Sequence, residues 1–215
     1  MSAWPEKFVI GLTGNIATGK SVVRKMLEHL GAFGIDADAL SHGAIQIGAP
    51  GYQPVVDAFG NSVLKEDGEI DRQKLGLIVF ADLKALRLLE SIVHPIVRQG
   101  VDHLVSKSQP RVAVIEAIKL LESPLRDACD VIWVVTASEE AQLERLRMQR
   151  NMTPDEARQR MSAQSSQAEK AAAADTVIEN SGSMEETWEQ VKRAWKKLFP
   201  QAAVETVPAL TLWTN

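Results

Sequence analysis

Apolar residues are grouped along the chain in two kinds of pattern. Short, nearly continuous apolar runs, typical of strands that are covered on both faces, occur in KFVIGLT, GAFGID, RVAVIEA, DVIWVV and DTVIEN. Between these runs, apolar residues recur at helical spacing, as in KSVVRKMLEHL, SEEAQLERLRMQR and SMEETWEQVKRAWKKLF. Strands that alternate with helices predict an α/β fold in which a five-stranded parallel sheet is flanked by helices.

Two stretches interrupt this alternation. Residues 41–110 contain helical patterns but no convincing strand, so we expect a helical insertion there. Residues 145–173 are rich in Arg, Gln and Glu, have little apolar surface to bury, and predict a mobile helical arm. Residues 200–215 are predicted to form a weakly ordered tail. The predicted α/β core consists of residues 1–40, 111–144 and 174–199.

Composition and charge narrow the class of protein. The chain has 215 residues, 45% of them hydrophobic, and a formal net charge of −4. This charge gives no reason to expect binding to nucleic acid or to an anionic membrane. The apolar runs are too short to span a bilayer, and the single cysteine, Cys129, cannot form an internal disulfide. We therefore expect a cytoplasmic protein without a nucleic-acid or membrane partner.

The turn after the first predicted strand carries a phosphate-binding pattern. Gly14, Gly19, Lys20 and Ser21 satisfy G-x-x-x-x-G-K-[ST], with a strand before the loop and a helix after it. Glycines let successive backbone N–H groups turn toward an anion, Lys20 reaches the outer phosphates, and the Ser21 hydroxyl can bind Mg²⁺. The residues predicted to contact ATP here are Gly14, Asn15, Ala17, Thr18, Gly19, Lys20, Ser21 and Val22.

The residues that follow the other strands bear on the kind of phosphate-loop protein. The guanine-reading Asn-Lys-x-Asp motif of GTPases does not occur in the sequence, whereas Glu116 ends the run VAVIE, as an acidic residue does in motor-type ATPases. Asp36 and Asp38 lie in FGIDADAL, where the second strand gives way to a helix at the carboxyl edge of the sheet. A carboxylate there either accepts a proton from a hydroxyl nucleophile or caps the helix, and the pattern leaves both roles open.

Taken in order, the motifs resemble those of the dephospho-coenzyme A kinase family over nearly the whole chain. GLTGNIATGKS is similar to the family's phosphate loop, and GIDADAL to its Asp-x-Asp motif. IDRQKLGLIVF and LLESIVHPIV are similar to its arginine-bearing helix and its Leu-Glu…His-Pro segment, and ADTVIENSGSMEE to its late strand and adenine-side loop. The resemblance implies transfer of the γ-phosphate of ATP to the ribose 3′-hydroxyl of dephospho-CoA, the last step of coenzyme A synthesis.

The resemblance also implies an architecture and residue roles. Residues 41–110 would form a CoA-binding domain and residues 145–173 a lid over the nucleotide-binding core. Asp38 would be the catalytic carboxylate, with Asp36 in support. The remaining implied contacts are Arg72 and His94 with the substrate and Asn180 with the nucleotide.

This sequence departs from the family's pattern at several positions. Asn15 and Ala17 stand where the family usually has glycines, and Lys119 stands where it has a leucine near the pantetheine arm. We expect Lys119 to contact the substrate. Kinases of this type also need a cation over the transferring phosphoryl group, and the arm offers Arg145, Arg147 and Arg150. Arg150 aligns best with that place.

Two alternatives to this assignment remain at the level of sequence. One is a different phosphate-loop kinase for a small molecule, and the other is a phosphate-loop ATPase whose helical insertion docks a protein. The acidic balance and the Asp-x-Asp motif favour a small-molecule kinase that needs ATP and Mg²⁺ and has no obligate protein partner.

Overall fold

The computed structural model describes residues 3–150 and 152–201, and the side chain of Arg150 lies outside this description. Most of the predicted tail, residues 202–215, lies outside the described residues as well. Every predicted strand is present: β1 Phe8–Thr13, β2 Phe33–Asp36, β3 Val112–Glu116, β4 Val131–Thr136 and β5 Thr176–Glu179. They form one five-stranded sheet in the order β2-β3-β1-β4-β5. The predicted parallel α/β fold is confirmed.

Helices occupy most of the remaining chain. Within the described residues the α-helices are α1 Lys20–His29, α2 Ala37–Gly43, α3 Tyr52–Phe59, α4 Arg72–Ala81, α5 Leu83–Lys107, α6 Glu139–Arg150, α7 Pro154–Ser162, α8 Gln167–Ala172 and α9 Met184–Leu198. None of these combines the length and the apolar character that crossing a membrane requires. The chain divides into two compact units, a helical unit (Asp36–Lys107) and a sheet unit formed by the chain before and after it.

In the sheet unit, parallel pairing brings the carboxyl ends of the strands to one edge. β1 lies between β3 and β4, with Leu12 opposite Glu116 and Thr13 opposite Val134. α1 and α9 cover one face of this sheet, where the side chains of Trp133, Trp188 and Trp195 are buried. The two tryptophans of α9 therefore belong to the core of the sheet unit.

The helical unit is held together by α5, which contacts α2, α3 and α4. Its buried residues recur every fourth position, at Val93, Val97, Val101 and Val105, as expected for one face of a helix. The helix continues through Pro95, which supplies no N–H to the backbone ladder. Among the described residues of this unit that follow β2, β-pairing is limited to an isolated bridge between Leu64 and Ile70.

The predicted arm packs more closely than its composition suggests. Ile16 of the turn after β1, Leu146 of α6 and Ala157 of α7 form a buried cluster, with Met152 and Met161 packed against it. Leu146 and Ala157 are each 1% exposed. The arm is polar overall, but its few apolar side chains are concentrated against this turn.

Candidate functional site

The turn between β1 and α1 is built for close approach of backbone groups. Gly14 and Gly19 have positive φ angles of 152° and 91°. A Cβ on Gly19 would overlap the side-chain amide of Asn180, so this position needs glycine for space as well as for conformation. α1 then begins at Lys20, and its amino-terminal N–H groups add a positive potential beside the turn.

Lys20 is held inside this turn. Its side chain is 7% exposed, and its Nζ lies 3.3 Å from the Asn15 carbonyl oxygen. The Thr18 hydroxyl donates to the same carbonyl at 2.9 Å. The cation is therefore placed before any anion arrives, which reduces the reorganisation that phosphate binding would require.

At the carboxyl end of β3, a carboxylate joins Ser21 to Arg24. The Ser21 hydroxyl donates to Glu116 Oε1 at 2.8 Å, and Arg24 Nε donates to Glu116 Oε2 at 2.8 Å. Burial works to lower the pKa of the Arg24 guanidinium, but its hydrogen bond to Glu116 and the charge of Glu28 outweigh burial and raise that pKa. Glu116 is only 4% exposed, and a buried carboxylate needs a partner of opposite charge. Arg24 provides that partner.

The other wall of the turn is formed by α6 and by the residue after β5. Asn180 Nδ2 donates to the Thr18 carbonyl at 2.7 Å, and its Oδ1 accepts from the Thr187 hydroxyl at 2.8 Å. Arg145 donates to the carbonyls of Ala17 and Thr18 at 3.2 and 3.3 Å and to that of Asn180 at 2.5 Å. Burial lowers the pKa of the Arg145 guanidinium from its ordinary value. These two side chains brace the loop backbone.

In the helical unit, the structure separates the two aspartates of the Asp-x-Asp motif. Asp36 is the cap of α2, because its Oδ1 accepts from the Ala39 N–H at 2.8 Å. Asp38 lies within the first turn of the helix and is half-buried. The capping role that the sequence left open for Asp38 therefore belongs to Asp36, and Asp38 lies two residues further along the helix.

A cavity of about 520 Å³ in the helical unit contains the predicted substrate arginine. Its lining residues are His42, Ile45, Gln46, Lys65, Glu69, Ile70, Asp71, Arg72 and Gln73. Arg72 Nη2 hydrogen-bonds to His42 Nε2, and Asp71 caps α4 by accepting from the N–H groups of Gln73 and Lys74. Partial burial and, next, the charge of Arg72 lower the pKa of His42, against the opposing charges of Asp38 and Asp36.

The remaining predicted residues fall in different places. His94 is half-buried in the middle of α5 and is not among the described residues that line the cavity. Lys119 is exposed in the sheet unit, shortly after β3. Arg150 ends α6, and since its side chain lies outside the description, its contacts are not part of the geometry.

Several functional candidates were missed at the level of sequence. His42 follows Asp38 by four residues in a helix, a spacing that places both side chains on one face and could have indicated a pair. The sequence pattern offers Arg145 and Arg147 as equal candidates for the phosphoryl-binding cation, although two residues apart in a helix they lie on different faces. Gln142 and Gln164 gave no signal, because a glutamine that binds backbone looks like any polar residue.

The residues at the phosphate turn also fit a divalent cation. No cluster of three or more His, Cys, Asp or Glu side chains that could hold a metal occurs within residues 3–150 and 152–201. Mg²⁺ needs no such cluster, because one or two protein oxygens and the phosphates of a nucleotide usually suffice. Ser21, exposed and donating its proton to Glu116, keeps hydroxyl lone pairs for a cation.

Comparisons with known proteins bear on the family and the fold of this chain. A family model described as Dephospho-CoA kinase matches residues 8–186. A dephospho-CoA kinase from Geobacter sulfurreducens is 42% identical over 195 residues, which cover 89% of this chain and 99% of that protein. The crystal structure of TT1252 from Thermus thermophilus has a TM-score of 0.81 at 29% identity and covers 90% of this chain and 98% of that chain. A shikimate kinase from Bacteroides thetaiotaomicron, 14% identical with a TM-score of 0.53 over 89% of this chain and 98% of that chain, shares the fold alone.

Proposed function

Because this chain belongs to the dephospho-CoA kinase family and phosphorylates dephospho-CoA with ATP, we propose that its two units divide the reaction between them. The sheet unit would bind the triphosphate. The helical unit would bind the acceptor and would supply the catalytic carboxylate. The observation that carries this division is the buried Lys20 inside the phosphate turn of one unit, with Arg72 lining a polar cavity in the other.

In the sheet unit, residues 14–22 would bind the phosphates of ATP. The backbone N–H groups of the turn and of the first turn of α1 supply donors, and Lys20 supplies the charge at the outer phosphates. Asn180 braces Thr18, so its predicted contact with the nucleotide would come through the loop that it holds. When Mg²⁺ is bound, Ser21 and Glu116 would hold it, and it would neutralise charge on the phosphates.

In the helical unit, Asp38 would orient the ribose 3′-hydroxyl and accept its proton. The O3′–phosphorus bond forms as the bond between the γ-phosphorus and the β–γ bridging oxygen breaks, and ADP leaves with the electron pair. Asp36 supports this step by fixing the start of α2. Asp38 is half-buried in the first turn of α2, beside the Asp36 cap, a position that suits a general base.

The same unit would recognise the anionic part of dephospho-CoA. Arg72 offers a planar set of N–H donors that matches phosphate oxygens. Its hydrogen bond to His42 fixes the guanidinium in the cavity, because a neutral imidazole nitrogen can act as acceptor. His94, in α5, and Lys119, shortly after β3 of the sheet unit, stay as predicted substrate contacts.

The arm would act as a lid. Arg150, the last residue of α6, would supply a cation to the transferring phosphoryl group. α6 already contacts the phosphate turn through Arg145, which supports a role for this helix in the closed site. Closure over ATP would exclude water and so suppress hydrolysis. Among the described residues of α7, Ala157 is the one that is buried, which suits a segment that opens and closes. We further propose that the enzyme works in the cytoplasm without a nucleic-acid, membrane or obligate protein partner.

A coupled assay of ADP release tests this assignment. The acceptors are dephospho-CoA, phosphorylated pantetheine compounds, nucleoside monophosphates and shikimate, each with ATP and Mg²⁺. Dephospho-CoA should give by far the highest kcat/KM. A different order of acceptors, or turnover of ATP that is indifferent to all of them, would overturn the proposal.

A further inference from the structure

Three glutamines of the arm and its flanks form a connected group around the phosphate turn. The Ile16 N–H donates to Gln164 Oε1 at 2.8 Å, and the Ile16 carbonyl accepts from Gln142 Nε2 at 2.6 Å. Gln167 Nε2 in turn donates to Gln142 Oε1 and to the Ala137 carbonyl, both at 3.0 Å. We call Gln142, Gln164 and Gln167 the glutamine clamp. The peptide groups on both sides of Ile16 are thus held by side chains from outside the turn.

The residue after the clamped one has an unusual backbone conformation. Ala17 has a φ of 59°, and among the described residues it is the one non-glycine position with a positive φ. Crowding between Cβ and the backbone disfavours this left-handed conformation in every residue but glycine, so something must hold it. Ala17 directly follows the Ile16 peptide, and its own carbonyl accepts from Arg145. The strained residue therefore lies between two fixed points.

We propose that Gln142 and Gln164 are positioning residues for phosphate binding, which hold Ala17 in the left-handed conformation that the turn requires. This rests on the proposed role of residues 14–22 as the ATP site. A glycine at position 17 would adopt the conformation without help, whereas alanine requires the neighbouring peptide to be fixed. The clamp supplies this restraint from the arm, and so couples the geometry of the phosphate turn to the packing of the arm.

The burial of the clamp agrees with this role. Gln142 is 1% exposed, and a buried amide is stable only when its polar atoms are paired. Here its oxygen and nitrogen are both used, by Gln167 and Ile16. The hydrogen bond from Gln142 to the Ile16 carbonyl ties α6 to the phosphate turn itself, and not merely to the rest of the sheet unit. Asn15 adds a further tie, since its Nδ2 donates to the Ser165 carbonyl at 2.9 Å.

A double-mutant cycle between the clamp and Ala17 tests the proposal. The variants are Gln164→Ala, Ala17→Gly and the two together, with Gln159→Ala, an exposed glutamine of α7, as the matched control. For each, we would measure kcat, KM for ATP, the Kd of a fluorescent ATP analogue and the melting temperature. Gln164 is chosen because it is only half-buried, so its truncation does not leave an enclosed void.

We expect Gln164→Ala to raise KM and Kd for the nucleotide about tenfold, the effect of losing one hydrogen bond to a strained turn, with a smaller change in kcat. In the Ala17→Gly background the same substitution should cost about twofold or less, because glycine no longer needs the restraint. Gln159→Ala should match the parent enzyme. Equal losses in both backgrounds, or a change in Gln164→Ala no larger than in Gln159→Ala, would overturn the proposal.

One more variant separates this inference from the proposed function. Lys20→Ala in the same series reports on the phosphate site itself. Near-parental turnover in Lys20→Ala would overturn the assignment of the ATP site, whereas a cycle without coupling between Gln164 and Ala17 would overturn the clamp alone. If Gln164→Ala lowers the melting temperature, Gln164→Leu, which keeps much of the side chain's bulk but loses the oxygen that accepts from the Ile16 N–H, repeats the cycle. Absence of coupling there as well counts against the clamp.

Discussion

The phosphate turn of the sheet unit and the cavity of the helical unit differ in how firmly their side chains and backbone are held. In the turn, Asn15 and Lys20 are 7% exposed, Thr18 is fully buried, and the main chain is fixed by side chains from α6 and from the residue after β5. In the cavity, Arg72 and His42 are both exposed, and they are tied chiefly to each other.

The difference agrees with what we propose that each region binds. Every nucleoside triphosphate presents the same phosphates, so a rigid cradle of backbone N–H groups can be fixed in advance. The acceptor must enter, be recognised by its particular groups and leave as a product, which suits side chains on an open surface. We therefore expect substitutions at the turn to affect the use of ATP, and substitutions in the cavity to change kcat/KM for the acceptor.

The largest effect is expected from the proposed lid. Arg150→Ala should lower kcat about a thousandfold and raise KM for ATP far less, because an arginine that reaches the phosphoryl group mainly in the closed state stabilises the transition state more than the bound substrate. Hydrogen exchange should show rising protection of α7 when an ATP analogue and dephospho-CoA are added together.

Arg147→Ala is the control, since this residue is exposed in the same helix. Arg145→Ala is not a neutral comparison, because Arg145 binds three backbone carbonyls of the site and its loss should raise KM for ATP. A crippling effect of Arg147→Ala, or full protection of α7 in the free protein, would show that the lid or its arginine is assigned wrongly.

Lys20→Ala should lower kcat by a factor of about a few hundred, the usual cost of losing one preorganised charge at a reacting group. Since Lys20 is enclosed by the turn, the melting temperature should be recorded beside turnover to separate misfolding from lost chemistry. Lys197→Ala, an exposed lysine of α9, is the control. A folded Lys20→Ala variant with normal turnover would remove the phosphate turn from the mechanism.

Asp38→Asn should lower kcat about a hundredfold and leave the affinity for ATP nearly unchanged, because asparagine keeps the size of the side chain but cannot accept the proton. Asp36→Asn is a matched comparison, since asparagine also caps helices well and should preserve the start of α2. If Asp36→Asn proves the more damaging of the two, the roles of the aspartates are reversed.

The same contrast explains what the sequence could predict. The strands, the phosphate turn and the start of α1 follow from local patterns, because buried parallel strands are continuous apolar runs and glycines mark the turn. The clamp could not be predicted, since Ile16 and Gln164 lie far apart in sequence and the bond is made to backbone. The composition of the arm does not reveal how it packs, because its few apolar residues, among them Leu146 and Ala157, are buried together in one cluster.

The sequence alone could not show which of the two aspartates caps α2, for another reason. Both residues are good helix caps, and they are two positions apart at an element boundary, where pattern is least decisive. To identify His42 as part of the cavity, one has to know both that it lies one helical turn after Asp38 and that Arg72 of α4, thirty residues later, approaches it.

The smallest effect is expected from pH, and it should be confined to the helical unit. The pKa of His42 is lowered by partial burial and by the charge of Arg72, against the opposing charges of Asp38 and Asp36. The unfolded chain therefore binds a proton more readily than the folded one in the window below the ordinary pKa of about 6.5. The contribution of neutral His42 to stability is present above this window and is lost as the pH falls through it.

His42→Gln removes this titration while keeping an oxygen that can accept from Arg72. Between pH 7.5 and 5.0, the parent should lose about 1–2 °C more in melting temperature than His42→Gln. His103→Gln, an exposed histidine of α5, should follow the parent. A phosphate bound to the other N–H donors of Arg72 would offset the Arg72 charge that, after burial, lowers the pKa of His42. Saturating dephospho-CoA should therefore shrink the difference between parent and His42→Gln, whereas ATP alone should leave it unchanged. An equal response to both ligands would mean that the His42–Arg72 pair does not belong to the acceptor site.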